Sequence, residues 1–311
     1  MYELIRVSEH DAYIDCPSKI GLVTVDDTPS DRPRAAVADR FAVADRFAVA
    51  VDSGNDKDVG KKLLKAADAA GLRVCAVFNT HAHADHIGGN KLLHDRTGCP
   101  VYARGVECDY ANHPIHNPAT LWGGFPYADL RHKFLLAEAC PTLPLTDDVL
   151  PAGMTMLDLR GHSPDMTGFR TPDGTVFLGD SLLSTDTLSK YGIGFLWDVE
   201  AYLASLEKVR QMEAELFVPS HAPATRDIRP LVQANIDAVH TVAERILTLC
   251  ASPVGFDELL AGVFETWGLV MNPQQHVLIG STVRAYLSWL YGCGEVGYFF
   301  DRNIMKWEAN H

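Results

Sequence analysis

The stretch THAHADHIGG, residues 80–89, sets His81, His83, Asp85 and His86 within six positions. The chain has 13 histidines in 311 residues. Random placement would produce the triple-histidine spacing only about 0.02 times in such a chain, so chance does not explain it. Imidazole nitrogens beside a carboxylate are ligands for borderline metals such as zinc, iron or manganese. Two such ions roughly 3.5–4 Å apart can share a hydroxide, lower its pKa and present it as a nucleophile near neutral pH. Asp85 could orient that nucleophile or pass a proton to a leaving group, which makes it the candidate catalytic residue.

Such donors need rigid elements to hold them. VCAVF (74–78) is a short apolar run, as expected of a strand buried on both faces, and it ends just before the histidine-rich stretch. Three later runs repeat the arrangement. MTMLDL (154–159) leads into RGHSPD with His162, TVFLGD (175–180) ends at Asp180, and LFVPSHA (216–222) delivers His221. Four strands thus each end at a candidate ligand, the usual way a sheet positions chemistry carried on loops. AYIDCP and IGLVTVDD read as further strands. Helices are expected over Asp56–Ala70, closed by Gly71, from Asp85 to Gly98, over Asp198–Glu213 and over Arg229–Cys250. Asp52, in VDSG, is expected to support a turn beneath the site. His10, His94, His240, His276 and His311 are read as surface or core residues.

H-x-H-x-D-H after a buried strand, followed by G-H-S, G-D and S-H after later strands, resembles the metallo-β-lactamase-fold superfamily over residues 15–225. The resemblance implies an α+β fold, a four-layer αββα sandwich. It also implies that His81, His83 and His162 bind a first metal, that Asp85, His86 and His221 bind a second, and that Asp180 bridges both. The implied cofactor is two divalent metal ions, zinc in first place with iron or manganese as alternatives. The implied activity is hydrolysis of an ester, thioester, lactone or phosphodiester by a metal-bridging hydroxide. Mononuclear iron persulfide dioxygenases of the superfamily share the motif, using the residues equivalent to His81, His162 and Asp180, and RNA-cleaving members fit it as well.

Departures narrow the class. The commonest true β-lactamases have Arg in place of His86 and Cys in place of Asp180, so antibiotic hydrolysis is not the expected main activity. Flavodiiron oxygen reducers have Glu in place of His83 and carry a flavin domain. The basic and aromatic residues that bind glutathione in the thioesterase group are not evident, which leaves the substrate open.

Residues 106–150 form a long segment rich in aromatics, read as a lid or binding wall, with Trp122 and Tyr127 as candidate substrate contacts. SKYGIGFLWD (189–198) offers Lys190 and Tyr191 for the same role. The chain divides into a catalytic domain over 1–228 and a C-terminal domain over 229–311 that resembles a winged helix. From residue 241 onward that tail holds four basic residues (Arg245, Arg284, Arg302, Lys306) against seven acidic ones. The balance argues against DNA binding, because a groove-binding helix needs cations for the phosphates.

The net charge of −13 argues against broad attraction to nucleic acid or anionic membrane. A small-molecule substrate is the expected partner, with RNA and a second copy of the chain kept as alternatives. Seven scattered cysteines without a CxxC read as reduced thiols, and the N-terminus lacks a signal-peptide pattern. Together these suggest a cytoplasmic protein. The tandem AVADRF at 36–41 and 42–47 is read as a lengthened loop or hairpin, since a six-residue slip keeps each side chain on its own sheet face.

Overall fold

The computed structural model describes residues 2–25 and 46–310. The doubled AVADRF lies largely outside these residues. Only Arg46 and Phe47 of its second copy are described, and they open a strand.

Strands β1 (Glu3–Arg6), β2 (Asp11–Asp15), β3 (Ile20–Val25) and β4 (Arg46–Val51) pair antiparallel in turn. Helix α1 (Lys57–Ala69) crosses to β5 (Leu72–Phe78), which runs parallel to β4. Short helices α2 (Ala84–Ile87) and α3 (Asn90–Thr97) lead to β6 (Val101–Ala103). Helices α4 (Gly105–Asn112) and α5 (His116–Trp122) lead to β7 (Thr142–Pro144). The strands β1 to β7 form one sheet in sequence order. The second sheet holds β8 (Thr155–Asp158), β9 (Thr167–Arg170), β10 (Thr175–Leu183) and, after α6 (Thr185–Tyr191) and α7 (Val199–Gln211), β11 (Leu216–His221). Its order is β11-β10-β9-β8. The chain closes with α8 (Arg229–Leu249), β12 (Val254–Gly255), α9 (Phe256–Thr266), α10 (Pro273–Gly292) and the hairpin β13 (Val296–Asp301) and β14 (Ile304–Ala309), whose small sheet is ordered β12-β14-β13.

Alternation along the strands builds the layers. In β4, Ala48 and Ala50 face α1 and pack with Leu63 and Leu93, while Val49 and Val51 face the second sheet and pack with Phe78 and Phe169. In β10, Phe177 joins this inter-sheet core while Val176 and Leu178 turn outward to α7 and α8. Three apolar layers therefore separate helix, sheet, sheet and helix, the αββα order expected. The outermost layer is continuous from Leu159 to Val296, so the C-terminal helices share a core with the second sheet.

Local signals explain most boundaries. Asp56 caps α1, its carboxylate accepting from the Asp58 and Val59 amides, and Asp198 caps α7 through the Ala201 amide. Two expectations need correction. The helix read as unbroken from Asp85 to Gly98 splits at Gly88–Gly89, because the chain there presses on the backbone of Ser53–Asp56. A Cβ on Gly89 would overlap the Ser53 carbonyl oxygen, and one on Gly88 would overlap Asn55. The strand read as ending at Asp180 runs on to Leu183, with register shifts around Gly179 (φ +54°) that re-aim Asp180 within the strand. The 106–150 segment is also more regular than an irregular excursion, since it carries α4, α5 and the sheet-edge strand β7.

Among the described residues no helix is long and apolar enough to cross a membrane. Among the described residues none of the seven cysteines forms a disulfide. Burial pushes the Cys16 and Cys250 thiols up to about 11, and those of Cys75 and Cys140 up to about 12. Cys293 alone among the seven is exposed.

Two outcomes follow. In native protein a thiol-exchange reagent should label one cysteine quickly, and the Cys293→Ser variant should lose that label. Rapid labelling of several thiols would contradict the burial described. Gly89→Ala should cost about 1–3 kcal/mol by overpacking and lower the melting temperature by several degrees in calorimetry. An unchanged melting curve would mean that the contact with Ser53 is slack.

Candidate metal centre

The ligands gather where the ends of the two sheets meet. His81 and His83 follow β5, while Asp85 and His86 occupy the single turn of α2. His162 lies in the turn after β8, and Gly161 before it has φ +129° and sits so close to the Tyr202 backbone that a Cβ would collide. Asp180 comes from the irregular part of β10, and His221 ends β11.

Two sets of donors result. His81, His83 and His162 form one, while Asp85, His86, Asp180 and His221 form the other, each with ligand atoms within 4.8 Å of one another. Asp180 touches both. Its Oδ2 lies 3.4 Å from His162 Nε2, 3.9 Å from His81 Nε2 and 3.2 Å from His221 Nε2, while its Oδ1 lies 3.1 Å from His86 Nε2. Asp85 Oδ2 is 3.2 Å from His221 Nε2 and 3.5 Å from His86 Nε2. All seven residues expected as ligands therefore converge.

Outer hydrogen bonds fix which nitrogen faces inward. His86 Nδ1 donates to Asp52 Oδ2 at 2.8 Å, His162 Nδ1 to the Phe195 carbonyl at 3.1 Å and His221 Nδ1 to the Pro17 carbonyl at 2.8 Å. Thr80 donates to Asp52 through both its amide and its hydroxyl, leaving that hydroxyl to accept from His81 Nδ1 at 3.1 Å. Each of these rings thereby has its Nδ1 engaged on the outside and turns its Nε2 toward the centre. Asp52, buried at φ +65°, is the turn support expected of VDSG.

The electrostatics suit a cation. Burial holds His81 well below its ordinary pKa, and burial with the neighbouring His162 lowers His83 to about 3, so both are neutral. Burial opposes charge on His86 too, but Asp180, Asp85 and Asp52 outweigh it and raise that ring well above its ordinary value. On His221, Asp180 and Asp85 likewise overcome burial and raise the pKa to about 10. His162 Nε2, already a lone pair, lies 3.0 Å from His83 Nδ1, an approach that only a shared cation or proton makes favourable. His81 Nε2 is buried without a hydrogen-bond partner, and His86 Nε2 and Asp180 Oδ1, although 3.1 Å apart, meet without hydrogen-bond geometry. Buried polar atoms are rarely left so, and a metal ion satisfies all three. The donors present therefore fit the two divalent ions that the motif implies.

Two cavities open onto this centre. The larger, about 870 Å³, is reached past His162, Asp180 and His221 and includes Lys19, Asp186, Tyr191 and Gln275. The smaller, about 310 Å³, is reached past His83, Asp85, His162 and Asp180. Phe195 and Leu278 stand in the walls of both. Of the residues expected at the substrate, Tyr191 lines the larger cavity. Lys190 points its ammonium over the Tyr191 ring, 4.9 Å from the centroid, and is not part of the wall. Trp122 and Tyr127 pack edge to face on each other at 5.2 Å and lie outside both cavities. Their neighbours Tyr110, Leu121 and Phe134 supply the wall instead.

Sequence reasoning missed three kinds of residue. Glu107, buried, accepts from the Ala82 and Asp165 amides and so ties the first ligand loop to the His162 turn. Ser18 donates to Asp85 Oδ2 at 2.8 Å. Leu278 reaches the site from α10, far along the chain. Only Ser18 had a signal, the DCPSK turn between two strands.

Residues 41–221 match the profile of the metallo-beta-lactamase superfamily. The chain belongs to that superfamily. It is 32% identical over 162 residues to a hydroxyacylglutathione hydrolase of Methylococcus capsulatus, a match covering 51% of this chain and 52% of the relative. It is 24% identical over 189 residues to an atrochrysone carboxyl ACP thioesterase of Aspergillus fumigatus, covering 60% and 51%. The chain thus spans about half the length of these curated relatives. A beta-lactamase domain protein from Burkholderia ambifaria superposes with a TM-score of 0.70 at 18% identity, covering 99% of this chain and 94% of that one. A metallo-beta-lactamase family protein from Thermus thermophilus gives 0.69 at 17%, covering 99% and 98%. These two show that the fold likeness extends through the C-terminal elements.

Asp52→Asn turns an amide toward His86 Nδ1 and favours the ring tautomer that protonates Nε2. Metal affinity should fall about 10–100-fold in chelator competition. Wild-type affinity would show that Asp52 does not set the tautomer.

Proposed function

We propose that the protein is a metal-dependent hydrolase with a dinuclear centre, zinc first among the candidate metals, acting on a small-molecule thioester or related ester. The observation that carries this reading is the position of Asp180, one buried carboxylate that belongs to one donor set through His86 and His221 and lies 3.4 Å from His162 of the other. Bound there, the metals would supply Lewis-acid activation of water and stabilisation of charge developing on the carbonyl oxygen. His81, His83 and His162 would hold one ion, Asp85, His86 and His221 the other, and Asp180 both. Asp85, steadied by Ser18, orients the attacking water and holds the proton that passes to the leaving group. The names of these curated relatives, a hydroxyacylglutathione hydrolase and an atrochrysone carboxyl ACP thioesterase, favour a thioester over the lactone and phosphodiester alternatives.

Other readings have less support. A mononuclear iron oxygenase would leave His83, Asp85, His86 and His221 without a role. For RNA cleavage, the described cavity walls offer little to hold phosphates. Among the described residues Lys19 is the one lysine or arginine in the walls of the two cavities, and it is engaged by the Ala222 carbonyl and Asp15. We also read residues 229–311 as a winged-helix-like unit serving as a cavity wall. The helix placed to enter a DNA groove, α10, has one arginine, Arg284, and its guanidinium stacks 3.7 Å over Phe256. Seven cysteines without a disulfide among the described residues support a reducing, cytoplasmic setting.

Elemental analysis of protein purified without chelator should give about two zinc or manganese ions per chain, in line with a two-metal site. In a panel of thioesters and esters, Asp85→Ala should lower kcat by about 10²–10⁴-fold, the usual worth of a positioned acid–base group. One iron per chain with oxygen uptake on a persulfide would overturn the proposal, as would full activity in Asp85→Ala.

A further inference from the structure

The two cavities differ in chemistry as well as size. The smaller is walled by Leu121, Phe134, Leu135, Phe195, Trp197 and Leu278, and its charged groups are confined to the end formed by the metal ligands. Asn117, which also borders it, donates its amide to the Ala82 carbonyl at 2.7 Å. At about 310 Å³ it is roughly twice the 150 Å³ cavity known to hold benzene. The larger cavity sets Lys19, Asp15, Ser184, Asp186, Thr187 and Gln275 beside apolar residues such as Leu188, Ile193, Leu269 and Ile279, and so suits a bulkier group with both polar and apolar parts. Both reach His162 and Asp180. A substrate laid across the two would therefore present its middle to the metal ligands.

We propose that the substrate is a thioester with a bulky apolar acyl group, a medium-chain alkyl or an aryl group, seated in the smaller cavity, and with a partly polar thiol in the larger one. This rests on the hydrolase reading and goes further by assigning the acyl class. A short hydroxyacyl group would fill a fraction of the smaller cavity and leave the apolar wall of Leu121, Phe134, Leu135 and Leu278 uncovered. Burying an acyl chain instead yields up to about fourfold per methylene until the cavity is full. In the reaction, water adds its oxygen to the acyl carbon and the carbon–sulfur bond breaks. The acyl group leaves as a carboxylic acid, which ionises, and the sulfur departs as a thiol carrying the second proton of water. Selectivity then lies with α5 and α10, outside the metal loops, through Leu121 and Leu278.

The test uses zinc-loaded full-length protein and two mirrored substrate series. One is N-acetylcysteamine thioesters with acyl groups from acetyl to dodecanoyl. The other is acetyl thioesters of alkanethiols from ethyl to decyl. Values of kcat/KM should rise at least 100-fold along the acyl series before levelling, and should rise less than tenfold along the thiol series. Leu121→Phe, which fills the cavity, should cut the decanoyl-to-acetyl ratio at least tenfold. Phe134→Ala, at a half-exposed position that folding tolerates, should move the best chain length upward. A flat acyl series, or a gain of tenfold or more along the thiol series, overturns the assignment. If neither series is hydrolysed, the hydrolase reading fails separately, and calorimetry on metal-free protein then decides the cavity. Decanoate should bind at least tenfold more tightly than acetate or lactate and lose that advantage in Leu121→Phe. Equal binding of the three overturns the proposal.

Discussion

The constraint on which the architecture turns is the burial of the Asp180 carboxylate. A lone ionised carboxylate in a protein interior costs several kcal/mol unless it is paired. Burial works against the Asp180 charge, yet His221 and His86 outweigh that penalty and hold its carboxyl well below the usual range. Around it stand four imidazoles, from β11, α2, the loop after β5 and the turn after β8. Those segments belong to both sheets. The αββα sandwich can therefore be understood as a frame that brings two strand-end edges together around one anion. Phe78, Phe169, Phe177 and Val49 fill the space between the sheets and fix their separation.

The ring of outer hydrogen bonds turns this frame into a centre with defined donors. Asp52, the Phe195 and Pro17 carbonyls and Thr80 accept from the Nδ1 atoms of four histidines, so the Nε2 atoms face inward, where a bound metal would displace any proton they carry. The backbone is strained locally by this arrangement. Asp52 adopts φ +65°, Gly161 φ +129° and Gly179 φ +54°. Each of these unusual conformations lies within one or two residues of a ligand or of a group that orients one, as expected where structure serves a site.

Much of this was legible in the sequence, and for a physical reason. A metal ligand must be a particular residue type, and a strand buried on both faces must be a continuous apolar run. The two signals coincide at VCAVF before His81 and at LFVPSH before His221. What the sequence obscured was geometry that depends on contact between distant backbones. The break at Gly88–Gly89 comes from pressure by Ser53–Asp56, and the irregularity at Gly179 extends β10 past Asp180. Substrate walls were harder still. Trp122 and Tyr127 looked suitable by type, but they pack on each other, while the ordinary aliphatics Leu121 and Leu278 form the wall. Leucine at helical spacing carries no mark that separates a cavity wall from a core.

The most direct test of a shared carboxylate is diffraction from crystals of the metal-loaded protein, recorded at the absorption edge of the bound element. The account requires two anomalous peaks about 3.5–4 Å apart, one among His81, His83 and His162, the other among Asp85, His86 and His221, with Asp180 between them. A single peak within the first set, with His86 and His221 bonded only to carboxylates, would contradict it.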